Sequence, residues 1–430
     1  KQFCSRVCPD DLPTPALHGK MHSSSKPLLG RGNKGATVAA TCVNLCKNMI
    51  GAGLLNVCIG FKYASVLGGM IAMLFSFLVS LSGFLLIGFC CDKYGALSFR
   101  DLWRKAMGTG TERVVDLALF LHTLFSCVGY ITLNGDFSTR SAAGLVPGSV
   151  FEERVVSVGM IILVGIFPLC LLNDLDSLKF TSGLGLAVTA LACLYVFVEA
   201  MARADVVVET LSDSWFYPSW EIFKTVALFN GSFSAHYNAP TFYSELQDRS
   251  FRRFAHCALI SFAAGACLFT AFGIVGFGRF GDQVLGNVLK AYDAESTRVQ
   301  LCWLAMGLST VFAFPHAFQR MRGSFNALRC RGEDADFFPV TTGLLGASVF
   351  GGLTFTDIAV VKMIKGATLG TSLMFIFPGL FYIRLRGQGS VIVKKRFNEN
   401  ESLGYALSVL LIANGLACGI LAVLVHYKFL

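Results

Sequence analysis

The stretch Asn44-Leu-Cys-Lys-Asn-Met-Ile-Gly-Ala-Gly-Leu-Leu55 interrupts a long apolar run with two glycines. A second stretch, Phe229-Asn-Gly-Ser-Phe-Ser-Ala-His-Tyr-Asn-Ala-Pro240, interrupts another apolar run with Gly231, Pro240 and a dense set of polar residues. Irregular backbone is tolerated inside a membrane only where it lines a cavity or is buried in protein. Two such interruptions at matching positions of two halves indicate a transporter built from inverted repeats. The alternative is that the glycines only allow close helix packing.

The composition around these two stretches is that of a membrane protein. Hydrophobic residues make up 54% of the 430 residues, and charged residues only 15%, against about 25% in soluble domains. This excludes a soluble enzyme, a nucleic-acid-binding domain, a disordered protein and a disulfide scaffold. Because a membrane helix needs about 20 apolar residues, the sequence predicts an all-α integral membrane protein with eleven transmembrane helices. These spans cover residues 37–62, 65–91, 113–139, 154–173, 178–202, 219–245, 254–277, 297–319, 338–354, 358–384 and 403–428.

Lysine and arginine are distributed unevenly between the two sides of these spans. With the N-terminus inside, the tail and the inner loops carry 24 of them and the outer segments carry 8. Positive residues favour the cytoplasmic side, so we predict a cytoplasmic N-terminus and an outside or lumenal C-terminus. The net charge of +9 therefore reflects topology and not a nucleic-acid partner. Residues 1–36 are polar and proline-rich, and we expect a disordered cytoplasmic tail.

A broken helix offers charge recognition without charged side chains. It exposes free N–H groups at one end and free C=O groups at the other, which favour anions and cations respectively. An amino acid zwitterion carries one group of each kind. We therefore predict that the substrate carboxylate binds at the first break and the ammonium at the second. The predicted substrate-binding residues at or near the breaks are Gly51, Ala52, Gly53, Asn56, Tyr130, Phe229, Asn230, Gly231, Ser232 and Ser234.

Several motifs in chain order carry a family resemblance. Besides the first stretch, these are Pro168-Leu-Cys-Leu-Leu-Asn-Asp-Leu-Asp-Ser-Leu-Lys-Phe-Thr-Ser182, Tyr243-Ser-Glu-Leu-Gln-Asp248, Gly366-Ala-Thr-Leu-Gly-Thr-Ser372 and Phe377-Pro-Gly-Leu-Phe-Tyr382. Over residues 37–428 the chain resembles the amino acid/auxin permease family of the amino acid-polyamine-organocation superfamily. The resemblance implies a LeuT-like five-plus-five inverted repeat with an eleventh helix. The repeats would be residues 37–202 and 203–384, and residues 385–430 would hold a cytoplasmic loop and the last helix.

Lys47 is the most informative intramembrane charge, because such residues are costly and usually functional. It lies one helical turn before Gly51. The resemblance implies that this part of the first helix faces the eighth across a cation site. The ammonium of Lys47 would replace that cation, with Ser309 and Thr310 as acceptors, and transport would not need sodium. The alternative is that Lys47 extends to the inner face of the membrane.

Other polar and charged residues in or near the spans allow a structural or a functional interpretation. His236 follows the second break and is either a proton-coupling group or, as we prefer, a structural histidine. Glu245, Asp248 and Arg249 end the sixth span and predict an ion-pair network at an inner gate. Asp136 near the outer end of the third span is an interfacial residue or a gate partner. Lys362 and Lys365 share one helical face near the outer surface, and the simplest expectation is that both extend to the membrane surface.

The leading function is secondary active transport of amino acids by alternating access, sodium-independent and either proton-coupled or facilitative. The alternative is a sensor that binds an amino acid and signals. No selectivity ring of a channel, catalytic motif of an enzyme or metal-ligand cluster is found in the sequence. We expect no cofactor other than a coupling proton, and the lipid bilayer and an amino acid as partners. The sequence does not choose between plasma membrane and vacuolar or lysosomal membrane.

Overall fold

The structure is a computed structural model that describes residues 35–50, 53–172, 179–293, 296–329, 336–388 and 401–426. The predicted tail therefore lies almost entirely outside the described residues, and so do Gly51 and Ala52. Within the described ranges the chain is helical, apart from one isolated parallel bridge between Ala36 and Leu246.

The helices follow the apolar spans. In chain order they are α1 (Val38–Ile50), α2 (Val57–Tyr94), α3 (Phe99–Met107), α4 (Arg113–Leu145), α5 (Arg154–Ile161), α6 (Phe167–Cys170), α7 (Lys179–Met201), α8 (Ala204–Asp213), α9 (Ile222–Ser232), α10 (Ala239–Glu245), α11 (Phe251–Phe280), α12 (Thr297–Leu328), α13 (Phe337–Thr354), α14 (Ile358–Lys365), α15 (Phe377–Gln388) and α16 (Glu401–His426). A π-helical segment, Ile162–Ile166, joins α5 to α6, and two more, Gly366–Gly370 and Ser372–Ile376, join α14 to α15. These continuous pieces correspond to single apolar spans of the sequence.

Seven helices in the described ranges are long and apolar enough to cross a membrane, and three shorter apolar helices accompany them. The first of the seven, Leu54–Tyr94, contains a sharp corner at Ser65 (φ 68°, ψ 175°). This corner coincides with the predicted boundary between the first and second spans. The all-helical membrane architecture is confirmed, whereas the count of eleven spans and the division into repeats stay predictions.

The described residues flank the first predicted interruption and contain the second. The helix α1 ends at Ile50, and a 3-10 turn, Leu54–Asn56, leads from the break into α2. The helix α9 ends at Ser232, and α10 begins only at Ala239 after a 3-10 turn, His236–Asn238.

The second break lies slightly later than we expected, because Gly231 is still helical. A Cβ at Gly231 would lie 2.9 Å from the backbone oxygen of Lys362 on α14. Real Cβ atoms essentially never come that close to another heavy atom, so this glycine permits close packing of α9 against α14. The residues that leave the helix are Phe233 to Ala235. The prediction of a break at Gly231 itself is therefore wrong by two residues.

Candidate functional site

A cavity of about 450 Å³ lies between the two breaks. Its walls come from α1, α4, α7, α9, α10, α12 and α14. These helices are separate in sequence and meet only because the long helices pack together. The predicted site residues that line it are Lys47, Gly53, Tyr130, Gly231, Ser232, Ser234, Glu245, Ser309 and Thr310. The fold therefore brings together residues from both halves of the chain.

The two breaks touch each other at the cavity wall. The hydroxyl of Ser232 donates to the backbone oxygen of Gly53 at 3.4 Å and to that of Leu228 at 3.2 Å. A Cβ at Gly53 would lie 3.6 Å from the Cα of Ser232. Gly53 at the first break and Ser232 and Ser234 at the second therefore line one cavity.

Among the described residues, three that we predicted to bind substrate do not line the cavity. The ring of Phe229 is fully buried and packs 5.9 Å from the ring of Phe61. The amide groups of Asn56 and Asn230 are fully buried, and none of their side-chain oxygen and nitrogen atoms has a hydrogen-bond partner within the described part of the chain. Mid-span position alone does not tell which face of a helix meets the cavity.

His236 lies beside the second break but outside the cavity lining. Its Nε2 is 2.8 Å from the backbone oxygen of Ser80, and its ring meets Phe84 and Phe262 edge-on at 5.5 and 6.0 Å. These contacts favour the structural role. Another buried histidine, His122 on α4, was not predicted as a site residue. Its Nε2 lies 3.4 Å from the hydroxyl of Ser234.

Lys47, Ser309 and Thr310 all line the cavity, from α1 and α12. The hydroxyl of Thr310 donates to the backbone oxygen of Gly307 at 2.8 Å. In the described part of the chain no hydrogen bond joins Lys47 to either hydroxyl, so the three groups share a space without direct contact.

Of the predicted gate residues, Glu245 lines the cavity, and its backbone oxygen accepts from the amide of Ala36 at 2.8 Å. Asp248 pairs instead with Arg253 at 3.6 Å, at a site where the aspartate side chain is 75% exposed. Arg249 is exposed and does not line the cavity. Arg320 was not predicted as a gate residue. It lines the cavity, and its guanidinium donates to the side-chain oxygen of Asn238 at 2.6 Å.

The two lysines of α14 differ most from expectation. Both line the cavity, and Lys365 is only 6% exposed, with its ammonium donating to the hydroxyl of Ser126 at 2.8 Å. The ammonium of Lys362 lies 3.7 Å from the Cβ position of Gly53, beside the first break. The expectation that they reach the membrane surface is wrong, because both side chains line the internal cavity and α14 packs against α4 and α9. The three-residue spacing of Lys362 and Lys365, which puts both on one face of the helix, was the sequence feature that could have indicated this shared site.

The cavity is long. Along α12 its lining runs from Met306 to Arg320, which is about 21 Å at 1.5 Å per residue. Along α4 the lining ends at Tyr130, and further along that helix the side chain of Asp136 is 1% exposed and pairs with Arg154 at 2.8 Å and Lys290 at 3.2 Å. This buried network ties α4, α5 and the loop before α12 together, which favours the gate reading of Asp136.

Comparison with known proteins agrees with this architecture. The chain is 13% identical to the nucleobase-cation-symport-1 family transporter Mhp1 in a closed conformation with bromovinylhydantoin bound, with a TM-score of 0.54 over 91% of this chain and 94% of that one. At this identity the likeness shows the fold alone.

Curated relatives match along most of their length. The Vacuolar amino acid transporter 6 of Saccharomyces cerevisiae is 23% identical over 82% of this chain and 91% of its own. The Amino acid transporter AVT6E of Arabidopsis thaliana is 22% identical over 87% and 80%. The Sodium-coupled neutral amino acid transporter 7 of Xenopus laevis is 22% identical over 84% of both chains. The family described as "Transmembrane amino acid transporter protein" matches residues 34–423. The chain belongs to this transmembrane amino acid transporter family and is a multi-pass membrane protein, not an enzyme.

Proposed function

We propose that this protein is a secondary active transporter that moves amino acids across a membrane by alternating access. The observation that carries the proposal is one cavity lined by residues of two broken helices, Gly53 at the first break and Ser232 and Ser234 at the second. Free N–H and C=O groups of such breaks bind the carboxylate and the ammonium of an amino acid without charged side chains.

A buried ion-pair network near one end of the cavity supports alternating access. Asp136, Arg154 and Lys290 form this network beyond the α4 lining, whereas the lining continues to Glu245 and Arg320 in the opposite direction. We infer that the network closes its end of the cavity. With the N-terminus in the cytoplasm, the closed end is the outer one and the structure is the inward-facing half of the cycle. The membrane is the plasma membrane or a vacuolar or lysosomal membrane.

We further propose that transport does not require sodium. The ammonium of Lys47 lies in the same cavity as the hydroxyls of Ser309 and Thr310, where it supplies a fixed positive charge. A permanent cation makes a bound sodium ion unnecessary, and coupling is then to protons or absent. The name of one relative, from Xenopus laevis, describes it as sodium-coupled, so this point distinguishes the chain from that relative.

Uptake into proteoliposomes tests these statements. The purified full-length protein is reconstituted, and uptake of a panel of labelled amino acids is measured with sodium or choline outside and with or without a pH gradient. We expect saturable uptake that is equal in sodium and choline. Saturable binding without accumulation or exchange would instead identify an amino acid sensor.

A further inference from the structure

The cavity carries an excess of positive side chains that the transport of a neutral amino acid does not explain. Its lining holds four cations, and within the described residues Glu245 is the one carboxylate that faces it. The cations are Lys47, Arg320, Lys362 and Lys365. A charged group inside a membrane protein is costly unless a counter-charge is near. We therefore expect the molecule that binds in this cavity to carry a negative charge.

The excess is concentrated on α14. Glu245 lies at the far end of the cavity together with Arg320, and neither Lys362 nor Lys365 forms an ion pair with any carboxylate in the described ranges. Elsewhere in the interior Arg154 and Lys290 do have such a partner, since both pair with Asp136. The two lysines of α14 are thus buried cations without a protein anion.

The ammonium groups of the two lysines occupy different positions relative to the first break. The ammonium of Lys362 lies beside Gly53, where the carboxylate common to all amino acids is expected. Lys365 is one helical turn further along and is held by the hydroxyl of Ser126 on α4. Residues three apart on a helix have Cβ atoms about 5–6 Å apart. This separation suits a small molecule with a carboxylate at each end.

We propose that Lys362 and Lys365, with Ser126, form an anion subsite and that the transported substrates are amino acids with a carboxylate side chain. Lys362 pairs with the α-carboxylate beside the first break, and Lys365 pairs with the side-chain carboxylate. Ser126 keeps the ammonium of Lys365 pointed into the cavity. The same field repels a cationic side chain. The inference rests on the proposed transport function and adds the substrate class.

Isosteric substrates give the sharpest test, because aspartate and asparagine, or glutamate and glutamine, differ in charge but hardly in shape. Their uptake and their inhibition of aspartate uptake are compared in proteoliposomes. A site built for a charged group rejects the neutral analogue strongly, so we expect a preference of about tenfold or more for the acidic member. Lysine should not compete. Equal affinity for the acid and its amide would overturn the proposal.

Variants assign the preference to residues. K365Q should lower the aspartate-to-asparagine ratio toward one, whereas K365R should keep most of it. K224Q is the matched control, because Lys224 on α9 pairs with Glu221 outside the cavity lining, and it should keep the wild-type ratio. A ratio unchanged in K365Q would contradict the role of Lys365. The wild-type isostere comparison still decides the substrate class if K365Q does not fold.

The remaining outcomes separate this inference from the function on which it rests. If alanine and asparagine are transported and aspartate is not, the anion subsite is refuted while amino acid transport stands. If alanine uptake requires chloride, which gluconate cannot replace, the lysine pair holds an inorganic anion and the proposal is also refuted. If no amino acid is accumulated or exchanged, transport itself fails, and the substrate class fails with it.

Discussion

For single residues, the sequence predicted which positions along the chain lie near the cavity better than it predicted which face of each helix meets the cavity. Gly53, Ser232 and Lys47 were predicted from their positions at or next to interruptions, and all three line the cavity. Asn56 and Asn230 lie equally near the breaks but point elsewhere. The orientation of a side chain depends on which neighbouring helix it packs against, and local sequence does not contain that information.

Lys47 gives a prediction at this scale. If its ammonium replaces a bound cation, wild-type uptake is the same in sodium and in choline. Replacing it by serine in K47S removes the fixed charge, and we expect uptake in choline to fall about tenfold or more, equivalent to about 1.4 kcal/mol or more. Sodium should then restore part of the uptake in K47S. A strict sodium requirement of the wild-type protein would refute the role of Lys47, and K224S serves as the control.

At the scale of helices, close approach depends on glycines that the sequence marks only as interruptions. A Cβ at Gly366, just after α14, would lie 2.0 Å from the backbone oxygen of Ala227 on α9. Gly231 serves the same contact from the other side. The sequence predicted helix breaks at glycines, but Gly231 is needed for close helix packing. A helix break and a close packing contact both favour glycine, so sequence alone does not separate them.

The packing of α9 against the segment after α14 is testable with alanine. In G366A the new methyl group meets a backbone oxygen that cannot move without displacing α9, so we expect a loss of about 1–3 kcal/mol in stability and reduced uptake. The measurement is the Tm of the purified protein in detergent. G343A is the matched control, since nothing lies within 4 Å of its Cβ position on α13. An unchanged Tm in G366A would contradict the close contact.

At the scale of the whole molecule, the all-helical membrane fold followed from composition and apolar spans, because the membrane restricts a chain to few architectures. The closed end of the cavity did not follow. The network around Asp136 joins residues more than 150 positions apart in sequence, and nothing local to Asp136 identifies Lys290 as its partner. Lys362 and Lys365 were likewise visible as charges but not as part of a site.

Removing the charge of Asp136 should open this end. In D136N two partly buried cations, Arg154 and Lys290, lose their shared carboxylate, and breaking such a buried pair typically costs about 3–5 kcal/mol. We expect faster amide hydrogen exchange in the loop that contains Lys290. D282N is the control, because Asp282 lies in the same loop but its side chain is exposed. Equal exchange in D136N and the wild-type protein would show that the network does not hold the closed end.

We propose that the cavity opens alternately to the two sides of the membrane, and counterflow measures this exchange. Proteoliposomes are loaded with unlabelled amino acid, and a trace of the labelled amino acid is added outside without any ion gradient. Alternating access produces a transient accumulation of label above equilibrium, and empty liposomes show none. Label that binds the protein saturably but never exceeds equilibrium inside would contradict it.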